Sequence, residues 1–149
     1  MRDYAVVRPE FWTGKISRAL RRERPEVRVV SMYVFTAPGS SMIGLYYLPL
    51  ATMVNDTGLS MDQVRVSLSV LAKLGFAFYD EDEEQVWVPG MAEHQVGAQL
   101  KPGDKRIAGI LKQLRQVAAC KFAPQFVERY SAAYGLPPSP LQAPYKPLA

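Results

Sequence analysis

Hydrophobic spacing predicts two helical segments in the first quarter of the chain. Within residues 14–24 the apolar side chains fall on one side and the basic ones on the other, as in an amphipathic helix. Pro25 ends that helix and suits the first turn of the next one. Residues 27–35 are apolar almost all round and rich in β-branched side chains, so this stretch is compatible with a buried helix or with a strand.

A helix-turn-helix is predicted in the middle of the chain. Residues 50–56 form a short helix, and a tight turn around Gly58 leads into a second helix that runs to residue 74. Ser60 and Gln63 have the spacing of a capping box at the start of the second helix. Gly75 is suited to end it in the left-handed conformation.

A β-hairpin is predicted directly after the helix-turn-helix. The apolar runs 76–79 and 86–88 are strand-like, and five consecutive carboxylates separate them. A further short strand over residues 43–48 precedes the helix-turn-helix, where it can pair with the hairpin. This order of elements is the plan of a winged helix-turn-helix.

Two more amphipathic helices are predicted near the end of the chain. They cover residues 104–119 and 122–134, whereas residues 91–101 have no clear period and are expected to form a connector. The last fourteen residues contain five prolines, a composition that favours an extended chain without a packed core.

The predicted fold class is mainly α with a small β-hairpin (α+β), a winged helix-turn-helix followed by two C-terminal helices. The expected organisation is a winged-helix domain over 1–90, a C-terminal helical extension over 91–135 and a Pro-rich tail over 136–149.

Composition narrows the class of function. The chain has 149 residues, of which 48% are apolar and 21% charged, as in ordinary globular proteins. Cys120 is the only cysteine and His94 the only histidine, so neither a disulfide framework nor a zinc site with several Cys or His ligands is expected. Phosphate-binding loops, zinc-protease motifs and nucleophile elbows are absent from the sequence. We therefore expect a protein that is not an enzyme, with no metal and no cofactor.

No apolar stretch is long enough to span a bilayer, and an acid at position 3 is unlike a secretory signal peptide. A cytoplasmic protein without membrane contact is expected.

The charges are segregated along the chain. The net charge is +4, yet residues 1–30 carry +4 and residues 101–149 carry +6, while residues 80–84 carry −5. Basic surfaces concentrate polyanions, and nucleic acid is the commonest one in a cytoplasm. Solvation of helix faces by Lys and Arg is the alternative explanation.

Candidate DNA-binding residues follow from this charge pattern and from the predicted recognition helix. Arginines within seven residues repel one another unless an anion lies nearby, and Gln and Arg can read base edges in the major groove. The candidates are Arg18, Arg21, Arg22, Arg24, Gln63, Arg65, Ser69, Lys73, Lys105 and Lys112.

The acidic run is a candidate site for a basic protein partner, because carboxylates facing DNA phosphates would repel them. It consists of Asp80, Glu81, Asp82, Glu83 and Glu84. A solubilising turn that protects a sheet edge is the alternative. The pair Phe11 and Trp12 is expected to be a hydrophobic plug on the first helix, with a base-stacking platform as the other interpretation.

Several short motifs resemble one family. They are Glu10-Phe11-Trp12-Thr13, Ile43-Gly44-Leu45-Tyr46-Tyr47-Leu48-Pro49, Tyr79-Asp80, Val86-Trp87-Val88-Pro89, Leu111-Lys112-Gln113-Leu114 and Phe126-Val127-Glu128-Arg129-Tyr130. Together they resemble the N-terminal winged-helix domain of phage replication initiation proteins of the replisome-organiser type. The resemblance implies a role in assembling replication proteins on double-stranded DNA in the host bacterial cytoplasm, with a replicative helicase or its loader as a partner.

Two other functions are compatible with the same residues. A winged helix can be the scaffold of a non-enzymatic adaptor or inhibitor that binds another host protein through the acidic run. A small transcription regulator is the third interpretation, and it would be a homodimer because two half-sites require two recognition helices.

Overall fold

The computed structural model describes residues 2–142, which form a mainly helical α+β protein with a small three-stranded antiparallel sheet. No helix within this range is long and apolar enough to cross a membrane. A 3₁₀ turn over Pro9–Phe11 precedes the first helix. The helices are α1 (Lys15–Leu20), α2 (Pro25–Thr36), α3 (Leu50–Thr57), α4 (Met61–Lys73), α5 (Met91–Gln95), α6 (Arg106–Gln116) and α7 (Ala123–Tyr134), and the strands are β1 (Leu45–Tyr47), β2 (Phe78–Asp80) and β3 (Gln85–Trp87).

The sheet has the order β1-β3-β2, so the hairpin strand β3 lies in the centre. Its register places Leu45, Trp87 and Phe78 in one row across the three strands. Val86 pairs with Tyr46 in the neighbouring row. Successive side chains of a strand point to opposite faces, so these two rows face opposite sides of the sheet.

Helices α2, α3 and α4 cover one face of the sheet. Their apolar side chains form a single core cluster with Tyr46 and Val86, in which Val30, Met53 and Leu71 are fully buried. The Tyr46 hydroxyl donates a hydrogen bond to a backbone carbonyl of α2. The composition of residues 27–35 is compatible with a helix or a strand, and the structure shows a helix. In the helical form Val30 is buried against α3 and α4.

Helices α6 and α7 cover the opposite face. The Trp87 ring stacks against Phe78 at 5.8 Å and against Phe122 at 6.1 Å, and these two phenylalanines also contact each other at 6.3 Å, all measured between ring centroids. Phe126 of α7 is fully buried in the same cluster, and the Tyr130 hydroxyl donates to the carbonyl of Pro89. The C-terminal helices therefore complete the burial of the sheet.

Gly44 allows β1 to approach the end of the hairpin closely. Its φ of +75° is unfavourable for other residues, and a Cβ at this position would lie 2.6 Å from the carbonyl oxygen of Val88. The Val88 N–H donates to the Gly44 carbonyl at 2.7 Å. A larger residue would separate these two segments.

The helix pair α3–α4 has the predicted turn. Gly58 ends α3 with a φ of +76°, and the capping box at the start of α4 is confirmed. The Gln63 N–H donates to the Ser60 hydroxyl at 3.1 Å, and the Ser60 N–H donates to the Gln63 side chain at 2.9 Å. Gly75 follows α4 with a φ of +73°, as predicted.

Several predicted boundaries are wrong. The helix predicted over 104–119 covers only Arg106–Gln116. The expected connector 91–101 begins with helix α5, whose Gln95 side chain accepts from Arg2 at 2.7 Å and donates to the carbonyl of Val6 at 2.8 Å. These contacts fix the N-terminal segment, and periodicity over five residues is too short to reveal such a helix. Helix α1 ends at Leu20 rather than at residue 24, because residues 21 and 22 form a turn and residue 23 a bend.

The beginning of the Pro-rich tail is packed, contrary to expectation. Leu136 and Leu141 contact the cluster around α7, and Pro140 is buried. Leucines between the prolines supply apolar surface that the proline count alone does not reveal. The rest of the predicted tail, residues 143–149, lies outside the described residues.

We predict that Phe126→Ala lowers the free energy of unfolding by about 3–5 kcal/mol, because it leaves a cavity in the cluster beneath the sheet. Chemical denaturation followed by circular dichroism measures this change. Val66→Ala, at a position that is 61% exposed, is the control and should change the value by about 0.5 kcal/mol or less. A similar small change for Phe126→Ala would contradict this packing.

A pH-dependent contribution is expected at the start of α6. The Asp104 carboxylate accepts from the backbone N–H and the guanidinium of Arg106, and these hydrogen bonds lower the pKa of Asp104 from 3.8 to about 2. A depressed folded-state pKa stabilises the protein above the unfolded pKa, and the stabilisation is lost as the pH falls towards 2.

We therefore expect Asp104→Asn to lower the melting temperature at pH 7, with the difference from the native chain shrinking between pH 4 and pH 2. Thermal unfolding over this pH range measures the difference. Glu128→Gln, an exposed change on α7, should show no such trend. A difference that is constant with pH would argue against the Asp104–Arg106 interaction.

Candidate nucleic-acid interface

Four predicted DNA-binding arginines lie together at the junction of α1 and α2. We call this set the arginine corner: Arg18, Arg21, Arg22 and Arg24. All four side chains are exposed. The chain forms this corner because α1 ends at Leu20 and Pro25 starts α2 after a short turn.

The guanidinium groups of the arginine corner have no carboxylate within ion-pair distance in the part of the chain that the structure describes. The ion pairs of residues 2–142 involve other side chains, and within that range none of 4.0 Å or less includes a member of the corner. The hydrogen bond that Arg21 donates goes to the neutral backbone carbonyl of Trp12, at 3.3 Å. Planar guanidinium groups with free donors are suited to phosphate oxygens.

The exposed face of α4 carries the predicted base-reading residues. Gln63, Arg65, Ser69 and Lys73 are all exposed, as is Val66 between them. The Gln63 side chain is occupied by the capping box, which leaves it fewer free hydrogen-bonding groups for a base. Helix α4 therefore has few polar groups available to read base edges, and they surround the apolar Val66.

Arg65 is paired with the turn of the hairpin. Its Nε and Nη2 atoms donate to one Glu81 carboxylate oxygen at 2.9 Å and 2.7 Å. Each side chain is about half exposed, so the pair lies at the surface. The contact places the acidic residues of the hairpin beside the N-terminal half of α4, and it neutralises the charge that was expected to contact DNA.

The five acidic residues of the hairpin do not form one uniform patch. Asp80 was predicted to bind a partner protein, but it is buried in β2 and is not accessible to one. Its carboxylate accepts a hydrogen bond from the Asp82 N–H at 3.2 Å and lies 3.7 Å from the Lys121 ammonium. Glu84 accepts from the Tyr47 hydroxyl at 3.1 Å. The acidic turn is therefore Glu81–Glu84, in which the first three residues are exposed and Glu84 is half-buried. Asp82 and Glu83 make no ion pair within residues 2–142.

The acidic turn makes its neighbourhood unfavourable for further negative charge. The hydrogen bond from Tyr47 to Glu84 raises the pKa of Tyr47. Burial raises the pKa of Tyr79, and the nearby carboxylates of Glu84 and Glu81 raise it further. DNA phosphates near this turn would experience the same repulsion.

The arginine corner and the first turn of α4 are not adjacent. Helix α1 and Gly75, which follows α4, line the same cavity of about 370 Å³, so α1 lies near the C-terminal end of α4. Arg65 lies eight residues before Lys73, which is about 12 Å along the helix axis. Lys73 is thus the predicted DNA-binding residue of α4 that lies at the C-terminal end of the helix, near α1.

Lys105 and Lys112 belong to a different layer. Both are exposed on or next to α6, which packs on the sheet face opposite to α4. The structure therefore does not combine them with the arginine corner and α4 in one layer.

Two residues near the corner were missed as candidates. Arg28 is the one charged residue of the apolar stretch 27–35. A single charge in such a stretch indicates a specific contact, and it could have marked Arg28 as a candidate. Trp12 was expected to be a hydrophobic plug, but it is 51% exposed, and Phe11 has that role through contacts with Phe35 and Phe76.

The Arg65–Glu81 pair joins positions sixteen residues apart, and the sequence has no local signal for it.

His94 and Cys120 are the single histidine and the single cysteine of the chain, and His94 lines the cavity next to α1. His94 packs edge-on against Phe35, with 5.7 Å between ring centroids. Cys120 is buried, and burial raises the pKa of its thiol. Within residues 2–142, no group of three or more His, Cys, Asp and Glu side chains has an arrangement that could hold a metal ion.

Comparison of the chain with models of known protein families, with curated proteins and with solved structures finds no match. Interpretation of the function therefore depends on the charges and contacts of this chain.

We predict that Arg65 and Glu81 are energetically coupled by about 0.2–1 kcal/mol, as expected for an exposed ion pair. A double-mutant cycle with Arg65→Gln and Glu81→Gln in chemical denaturation measures this coupling, which should decrease in 1 M salt. Zero coupling at low salt would contradict this prediction, because the pair would then contribute nothing measurable to stability.

Proposed function

We propose that this chain is a non-enzymatic winged-helix module that binds duplex DNA through the arginine corner. In the role implied by its resemblance to replication initiation proteins, it would help to recruit replication proteins to that DNA.

The order of the elements supports the winged-helix part of this proposal. Helix α2, strand β1, the helix pair α3–α4 and the hairpin β2–β3 follow one another in the order of a winged helix-turn-helix, and β1 pairs with β3. In that arrangement α4 corresponds to the recognition helix. The two C-terminal helices form an addition that covers the far face of the sheet.

One observation carries the proposal: among residues 2–142, the arginine corner has no ion-pair partner. Four like charges within seven residues repel one another, and Glu23, the one acidic residue among them, makes no ion pair of 4.0 Å or less with them. Binding of phosphates would offset it and release counterions from the DNA, which favours association at low salt.

The Arg65–Glu81 pair favours a phosphate-directed mode of binding over base readout. To contact a guanine, Arg65 would have to leave Glu81, and the acidic turn would come close to the phosphates. We therefore propose binding with little sequence preference, in which the corner supplies most of the affinity.

A protein-binding adaptor is a second candidate, and the acidic turn favours it. Asp82 and Glu83 are exposed, and Tyr47 and Val66, which are 58% and 61% exposed, belong to elements that contact this turn through Glu84 and Arg65. Apolar side chains beside free carboxylates suit a basic protein surface.

We predict that the native chain binds a 20-base-pair duplex with a steep salt dependence. A variant with Arg18→Gln, Arg22→Gln and Arg24→Gln should bind more weakly, with a slope of log K against log salt that is shallower by about 3, because about three phosphate contacts are lost. Fluorescence anisotropy at several salt concentrations measures both quantities. Arg21 is left in place because it bonds to Trp12.

The matched control removes three other exposed charges with Lys101→Gln, Lys105→Gln and Lys112→Gln. It should retain the native salt slope. Equal losses of affinity in both variants would show that the net positive charge of the protein, and not the arginine corner, determines DNA binding. If the native chain does not bind the duplex at low salt, DNA is excluded as the ligand. The adaptor becomes the better candidate if DNA binding is absent and neutralising Asp82 and Glu83 abolishes the binding of a basic protein.

A further inference from the structure

An exposed tryptophan lies next to the arginine corner. Trp12 is 51% exposed, whereas Trp87, the other tryptophan, is 6% exposed. The Trp12 ring contacts Phe11 in an edge arrangement at 5.5 Å between centroids, and Phe11 in turn packs against the core. The Trp12 indole is thus supported by Phe11 on one side, while about half of the residue's surface faces solvent.

Two arginines hold this tryptophan in place. The guanidinium carbon of Arg28 lies 4.9 Å from the centroid of the Trp12 ring. Arg28 is itself fixed, since its two Nη atoms donate to the hydroxyl and the carbonyl oxygen of Ser17, both at 3.1 Å. Arg21 donates to the Trp12 carbonyl. The ring is therefore oriented before any ligand binds.

An exposed aromatic ring among arginines has the chemistry of a platform for nucleobases. Every base has a π-face, so it stacks on an aromatic ring with little dependence on sequence, and neighbouring cations hold the phosphates. A single exposed apolar residue has little significance alone. Here the exposed ring, its fixed guanidinium and the unpaired corner occur together within residues 12–28.

We propose that Trp12 stacks on an unpaired nucleobase and that the arginine corner thereby binds single-stranded DNA more tightly than duplex DNA. This inference rests on the proposed function, since the corner must bind phosphates for the strand to pass over Trp12. In a duplex both faces of a base are covered by its neighbours, and only an unpaired base can present a face to the indole. Stacking of one base is expected to change the affinity by about 5- to 150-fold.

Removal of the ring should not unfold the protein. Trp12 does not belong to either core cluster, and Phe11 makes the contacts with Phe35 and Phe76. Trp12→Leu keeps an apolar side chain without the π-system, and Trp12→Phe restores an aromatic ring. Tyr47→Leu is the matched control, because Tyr47 is an aromatic residue that is 58% exposed but lies beside the acidic turn.

The experiment compares a 12-nucleotide oligothymidylate with a 12-base-pair duplex at the same low salt concentration. Intrinsic tryptophan fluorescence is recorded together with anisotropy of the labelled DNA. The buried Trp87 provides a constant background, so quenching by the single strand reports on Trp12. We expect quenching by the single strand only, a loss of at least 5-fold in its affinity for Trp12→Leu, and an unchanged affinity for the duplex. Trp12→Phe should recover most of the affinity, and Tyr47→Leu should behave like the native chain.

The outcomes separate this inference from the proposed function. If single strand and duplex bind equally and Trp12→Leu changes neither, the corner binds phosphates without stacking, and only this inference is overturned. Quenching without a loss of affinity in Trp12→Leu also overturns it, because the ring would then be near the DNA without contributing to binding. If neither DNA binds the native chain at low salt, the proposed function fails as well.

Discussion

Burial of both faces of a nine-residue sheet is the constraint on which the rest of the structure depends. A sheet of three three-residue strands is too small to be stable alone, and its central strand β3 has Val86 and Trp87 pointing to opposite sides. Helices α2, α3 and α4 cover Val86, and α6 and α7 cover Trp87. The helix pair and the C-terminal helices are thus held together by the same strand.

This arrangement explains why the acidic turn lies where it does. Once β2 and β3 are fixed between the two helical layers, the turn that joins them extends beside α4, where Glu81 meets Arg65. An exposed pair of this kind contributes little to stability, so its main effect is on the charge of the surface. The first half of α4 loses a free cation, and the arginine corner, near the other end of that helix, retains its own.

The corner is also positioned by the core. Phe11 packs on Phe35 and Phe76, which anchors the N-terminal segment next to α2. Arg28 then connects α2 to α1 through Ser17 and lies against Trp12. Trp12 is thereby held in one orientation, and a group that is already ordered loses less conformational entropy when a ligand binds to it.

Local signals in the sequence determined most helices and turns. The capping box at Ser60 and Gln63 and the left-handed glycines at 58 and 75 depend on neighbouring residues only, and each is present in the structure. The exposure of Arg18 follows from the amphipathic pattern of α1, which places charge outside. Tertiary structure alone decided that α2 is a helix, that Asp80 is buried, that Arg65 is paired with Glu81 and that Trp12 is exposed while Phe11 is packed. These features depend on contacts between residues distant in the chain, and neither periodicity nor composition within a local window contains information about such contacts.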